Sequence, residues 1–243
     1  IHYINMRHFI SYFNDSVKKY WDLPAVTNYG KETYTYAQMA EGIEKYHILF
    51  EESGIKKGDK VAIYARNSAE WCIAYYATLT YDAVTVPFLP DFLPAAVVEL
   101  ATFSECKMLI VDDIASNGLS ASPELFEQLE TTKEFVGVLN IKDFKVLRDS
   151  SGILAKTCGT IDEHFSSRHP GGFTADSINY YPEERDLDAP VEISFTSGTT
   201  SATSKGVVLP ARSLTANLEF GFRIIPTCVG GHIFTILPMA HMF

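Results

Sequence analysis

The sequence predicts an α/β protein of layered sheets, built from parallel strand–helix–strand crossover units. Short apolar runs recur along the 243-residue chain, separated by helical segments of about ten to fifteen residues, the spacing of crossovers rather than of hairpins. Helix-start signals stand where those segments begin: Thr35 with Gln38, Asn67 with Glu70, and Pro94. Gly54 and Gly58 punctuate the stops and turns.

In order along the chain, Thr35 and Gln38 form a capping box before Met39, Ile43, Tyr46 and Phe50, a helix that stops at Gly54. The apolar run 61–64 is a buried strand delivered by the turn at 58–60. Asn67 and Glu70 open a helix through Trp71, Tyr75 and Leu79, and a strand follows at 83–86. Pro94 suits the first turn of a helix over 94–104. Next come a strand at 108–111, a helix from Ser122 and Pro123, and a strand at 135–141. Periodicity fades over 142–190, which reads mostly as loop. It returns as strands at 191–195 and 207–209, a helix over 213–222 and a strand at 233–237.

Composition excludes several classes. Thirty acidic against twenty basic residues give a net charge of −10, so no broad electropositive face for nucleic acid is expected. With 47% apolar and 21% charged residues the chain can bury a core and is not disordered. Cys72, Cys106, Cys158 and Cys228 lie 34, 52 and 70 residues apart, a pattern of neither disulfide scaffold nor zinc site; it fits a reducing cytoplasm. No apolar stretch reaches the roughly 20 residues of a membrane helix, and no secretory leader is visible. The histidines show no paired metal-binding spacing, so no protein-held metal is expected.

One tract carries chemistry. From Ser194 to Ser204, nine of eleven residues are Ser, Thr or Gly, and the tract ends at Lys205 and Gly206. A flexible linker is the plain alternative for such a stretch, but this one joins two apolar strands rather than two domains. Small residues allow close backbone approach, hydroxyls and amides donate to oxygen, and one ammonium supplies charge, so the loop suits a polyphosphate. It is not a Walker loop: counted from Gly198, the second glycine would fall at Thr203, and Lys205 is followed by glycine rather than Ser or Thr.

Thr196, Ser197, Gly198, Thr199 and Thr200, followed by Lys205, Gly206 and Val207, resemble the phosphate loop of the adenylate-forming superfamily of acyl-CoA synthetases, peptide-synthetase adenylation domains and luciferases. Thr33-Tyr-Thr-Tyr36, Gly58-Asp-Lys-Val-Ala-Ile63, Asn67-Ser-Ala-Glu-Trp71 and Ala83-Val-Thr-Val-Pro87 follow in that family's order. Leu237-Pro-Met-Ala-His241 is similar to a Leu-Pro-Leu-Ala-His segment of long-chain acyl-CoA synthetases. The likeness covers roughly 33–113 and 187–243. It departs at the loop, where four residues rather than three separate Thr200 from Lys205, Ser201 replaces Gly and Ser204 replaces Pro. Pro210 and Ala211 also stand where the family often has Thr-His.

The resemblance implies ATP-dependent activation of a carboxylic acid, with a long-chain fatty acid foremost, to an acyl-adenylate and then a coenzyme A thioester. ATP, Mg²⁺ arriving with it, and coenzyme A are the implied co-substrates. Thr196 to Thr200 and Lys205 would grip the β and γ phosphates, and His241 would lie near the acyl and thiol pockets. The implied division is a helical lead-in over 1–56, a parallel α/β subdomain over 57–210 ending in the phosphate loop, and the start of a further subdomain over 211–243. The family's Tyr-Gly-x-Thr-Glu and Thr-Gly-Asp segments and its catalytic-lysine domain do not occur. The chain therefore reads as an incomplete N-terminal portion, inactive alone, whose first partner would be the remainder of its own chain. A peptide-synthetase-type adenylation domain and a non-catalytic nucleotide-binding or interaction module stay open. So do peripheral membrane contact and a homodimer.

Overall fold

In the computed structural model, which describes residues 6–195 and 205–241, the chain first lays down α1 (Phe9–Lys19) and a two-stranded antiparallel hairpin, β1 (Pro24–Thr27) and β2 (Thr33–Thr35). Helix α2 (Tyr36–Glu52) starts at the predicted capping box. The Gln38 amide donates to Thr35 Oγ1 at 3.2 Å and the Thr35 amide to Gln38 Oε1 at 2.9 Å. These satisfy two amides the first turn would leave unpaired. A Thr35→Ala substitution is expected to destabilise the chain by about 1 kcal/mol in urea unfolding, with the unfolding slope unchanged.

The main sheet among the described residues has seven strands in the order β7-β6-β5-β3-β4-β8-β9. These are β3 (Lys60–Tyr64), β4 (Val84–Phe88), β5 (Cys106–Val111), β6 (Gly137–Asn140), β7 (Val146–Asp149), β8 (Pro190–Phe195) and β9 (Gly206–Pro210). Strands β6, β5, β3, β4 and β8 are parallel to their neighbours, whereas β7 and β9 close the edges antiparallel. Two core clusters lie against the two faces. One packs Val61, Ile63 and Met108 under α2 and α3 (Ala69–Thr80). The other packs Ala62, Leu109 and Val111 under α4 (Pro94–Phe103), α5 (Asp113–Ser120) and α6 (Glu124–Glu130). Strands covered on both sides are apolar throughout, which is why they are visible as runs rather than as alternation.

The structure corrects or adds to the sequence expectations in four places. The cap of α3 is Ser68, whose Oγ accepts from the Trp71 amide at 3.1 Å; Asn67 points elsewhere. Residues 142–190 are loop over more than half their length, as expected, but they also hold three short elements, β7, α7 (Ile153–Gly159) and α8 (Ile161–Arg168). Asp149 organises this region by accepting from the amides of Ser151, Gly152 and Ala155. Such short elements expose most of their surface, so their apolar pattern is faint. Helix α5 went unpredicted although Asp112 caps it, accepting from the Ala115 amide at 2.9 Å. Residues 233–237 are not a strand; Ile233, Phe234 and Ile236 are exposed there, and an apolar run without a neighbouring strand to pair with has nothing to make it one. Helix α9 (Ala211–Ile224) packs back on α1, the Phe9 amide donating to Thr215 Oγ1 at 3.1 Å. No helix among the described residues is long and apolar enough to cross a membrane.

Candidate active site

Lys205 and His241, the described candidates, lie by the carboxyl ends of the parallel strands. Tyr64 of β3 is in register with Phe88 of β4. Phe88 in turn stacks on Phe195 of β8 with ring centroids 5.7 Å apart. All three residues close their strands, so β3, β4 and β8 end at one level. Only β4 separates β3 from β8, which sets those two ends about 10 Å apart at ordinary strand spacing. In open α/β sheets this edge is where loops diverge and ligands bind.

The hydroxyl-rich tract leaves from here. Phe195 pairs with Gly206 across the β8–β9 ladder, so residues 196–205 connect two strands fixed to each other. Thr196, Ser197, Gly198, Thr199 and Thr200 lie outside the described residues. Lys205 immediately precedes β9 and is exposed. Gly206 is held close against its partner strand: a Cβ there would meet the Phe195 ring at 3.1 Å and Ile193 Cγ2 at 3.3 Å. A side chain at 206 would therefore press on the end of β8 and disturb the base of the tract.

Beside it, the loop after β3 is pinned at both ends. The Arg66 amide and Nε donate to Asp112 Oδ2 at 3.1 and 2.8 Å, while Ser68 caps α3. Burial works against charge on Asp112, but the Ala115 amide and Arg66 hold its carboxyl below the ordinary value. Between these anchors, Asn67 Nδ2 donates to the Leu237 carbonyl and Asn67 Oδ1 accepts from the Met239 amide, each at 2.7 Å. The turn so held closes with the His241 amide donating to the Pro238 carbonyl at 2.9 Å. His241 is half-buried and Ala240 buried. The Cys72 thiol lies 3.6 Å from Met239 Sδ; burial, with Glu70 adding, pushes it up to about 11, so it is a packing group and not a thiolate nucleophile. Lys205, at the start of β9, and His241, on the turn docked to the loop after β3, are nearly forty residues apart in sequence and thus attach to strand ends three strand spacings apart, about 14 Å.

Two residues escaped the sequence reading. Asn67 reads as a cap because Asn-x-x-Glu is a capping signal, yet Ser68 beside it serves equally. Glu192 is given no role by the sequence, standing between apolar Val191 and Ile193 on a strand. In the structure it is fully buried on β8 and accepts from the Tyr75 hydroxyl at 2.8 Å, and its Oε1 has no partner among the described residues.

The AMP-binding enzyme family model matches residues 13–243, nearly the whole chain. The chain belongs to the AMP-binding enzyme family. Among similar curated proteins, long-chain-fatty-acid–CoA ligase 6 of Rattus norvegicus is 28% identical over 188 residues, covering 75% of this chain and 25% of that protein. Acetyl-coenzyme A synthetase of Desulfatibacillum aliphaticivorans is 27% identical over 178 residues, covering 73% of this chain and 26% of the other. The chain thus spans about a quarter of the length of these two relatives. Among solved structures, the inhibitor-bound N-terminal domain of FACL13 from Mycobacterium tuberculosis superposes with a TM-score of 0.71 at 22% identity, covering 97% of this chain and 52% of that one. That likeness is one of fold, and it agrees with the sheet described above.

Proposed function

We propose that this chain supplies the phosphate grip of an ATP-dependent carboxylic acid–thiol ligase, with a long-chain fatty acid as the acid and coenzyme A as the thiol. The observation that carries the reading is the launch of the tract 196–205 from the carboxyl edge of the sheet, ending in exposed Lys205. Attack of a carboxylate on the α-phosphorus, with pyrophosphate leaving, builds charge on phosphate oxygens. Donors already fixed around those oxygens lower the barrier. Thr196, Ser197, Gly198, Thr199 and Thr200 supply hydroxyls and amides, and Lys205 the compensating cation. His241, on the turn docked to the β3 loop, positions the acyl group or its thiol acceptor. Among the described residues no three His, Cys, Asp or Glu side chains converge as a metal site; in this reading Mg²⁺ comes with the nucleotide, liganded by its phosphates.

In the same reading, residues 1–56 lead into the subdomain 57–210 that ends in the phosphate loop, and 211–243 begin the next. The adenine and ribose contacts and the catalytic lysine then belong to the remainder of a longer, cytoplasmic enzyme. The family membership supports adenylate formation, and the rat ligase supports a fatty acid. The bacterial acetyl-coenzyme A synthetase makes the acyl length the point to test.

The whole enzyme is expected to exchange labelled pyrophosphate into ATP when given long-chain fatty acids, and far less when given acetate. Exchange with acetate alone would replace the fatty acid with a short acid. No exchange with any carboxylate would remove the ligase reading.

A further inference from the structure

The loop that joins β3 to α3 does more than turn the chain. Arg66 is tied to Asp112 through its backbone and side chain, and Ser68 is tied to the first turn of α3, so the intervening residue sits on a fixed platform. Its carboxamide presents one donor and one acceptor, and both are used on a single distant segment: the Leu237 carbonyl and the Met239 amide, each at 2.7 Å. Here the pair closes a loop of 170 residues. Around it Leu237 is exposed, while buried Ala240 and the Cys72–Met239 sulfur pair also hold the segment.

We propose that Asn67 is a positioning residue, which by clamping the 237–239 backbone to the β3–α3 loop fixes His241 at the carboxyl edge of the sheet. The inference rests on the reading of His241 given above, and it deepens that reading by naming what aims the histidine. Asn67 touches no reacting atom; it acts through the turn.

Two measurements on the whole enzyme test it. Amide hydrogen exchange of Met239 is expected to accelerate about ten-fold in Asn67→Ala, with the amides of β3 and α3 unchanged. The exposed position of Asn67 leaves the core intact. In kinetics, Asn67→Ala is expected to reduce turnover of acyl-CoA formation about ten-fold while the KM for ATP stays at the wild-type value, a split that general destabilisation would not produce. The double variant Asn67→Ala/His241→Ala is expected to be no worse than His241→Ala alone, because a clamp that works through a histidine has nothing to act on once the histidine is gone. Unchanged Met239 exchange in Asn67→Ala overturns the clamp, and losses that simply add in the double variant overturn the route through His241. If the wild-type enzyme activates no carboxylate, the ligase reading falls by itself, and the Met239 exchange still decides whether Asn67 holds the turn.

Discussion

Replacing Lys205 by alanine in the whole enzyme is expected to lower fatty-acid-dependent pyrophosphate exchange on the order of 100-fold in kcat/KM, the size of loss seen when one preorganised electrostatic group is removed from a charged transition state. The expectation follows from placement and charge together. The chain carries a net charge of −10, so its overall field repels a polyphosphate, and attraction must be local. Lys205 stands at the end of a tract rich in hydroxyls, one residue before the strand that registers that tract against β8. It is exposed, so shortening it removes a cation without opening a cavity. Lys205→Arg should recover only part of the loss, because a planar fork does not replace a point charge held at one distance. Wild-type exchange by Lys205→Ala would transfer the phosphate grip to other residues. The four-residue spacing between Thr200 and Lys205 makes this a test of register as well as of charge.

What the sequence makes legible follows from how each element is buried. Central strands such as β3 are covered on both faces, so Val61, Ala62 and Ile63 appear as an unbroken apolar run. The capping box at Thr35 is local chemistry and is read correctly from four residues. Elements settled by tertiary contact are harder to see. Strand β7 is a half-covered edge, and α7 depends on the carboxylate of Asp149 for its amides. The apolar run 233–237 looks like a strand because periodicity records hydrophobicity, not the presence of a neighbour to pair with. At the site, the tract 196–205 is recognisable from composition and its terminal Lys205. The use of Asn67 is not, since its partners Leu237 and Met239 lie at 170 and 172 residues' distance. Glu192 is hidden for a similar reason: Val191-Glu-Ile-Ser-Phe195 alternates as a one-sided strand would, and only the fold shows the carboxyl buried beside Tyr75 of α3.

That buried carboxyl sets the stability of the chain against pH. Glu192 is fully buried three residues before the end of β8, and across the ladder its parallel partner is Thr85. One oxygen accepts from Tyr75, while Glu192 Oε1 and Thr85 Oγ1 lack partners among the described residues. Burial pushes the carboxyl up to about 7 against the pull of the Tyr75 hydrogen bond. An acid whose pKa is raised by folding contributes its full share of stability below the unfolded value, near 4.5, and loses it as pH rises through about 7. The loss amounts to about 3 kcal/mol at pH 8. His8 and His47 slope the other way. Burial lowers each from 6.5 to about 4, so they withdraw stability as pH falls from 6.5 toward 4. Between pH 4.5 and 6.5 the gain from the two histidines exceeds the loss from Glu192, so wild-type stability should rise toward neutrality, with Glu192 flattening that rise up to about pH 7. A Glu192→Gln variant keeps the acceptor for Tyr75 but cannot ionise, and the histidine contributions cancel when the two proteins are compared at the same pH. Urea unfolding is expected to show the variant gaining about 2–3 kcal/mol on the wild type between pH 5 and pH 8. Parallel stability curves for the two proteins would mean that Glu192 is already charged, or already solvated, in the folded chain. Because Glu192 lies only four residues before Thr196, its ionisation would unsettle the strand from which the 196–205 tract is launched.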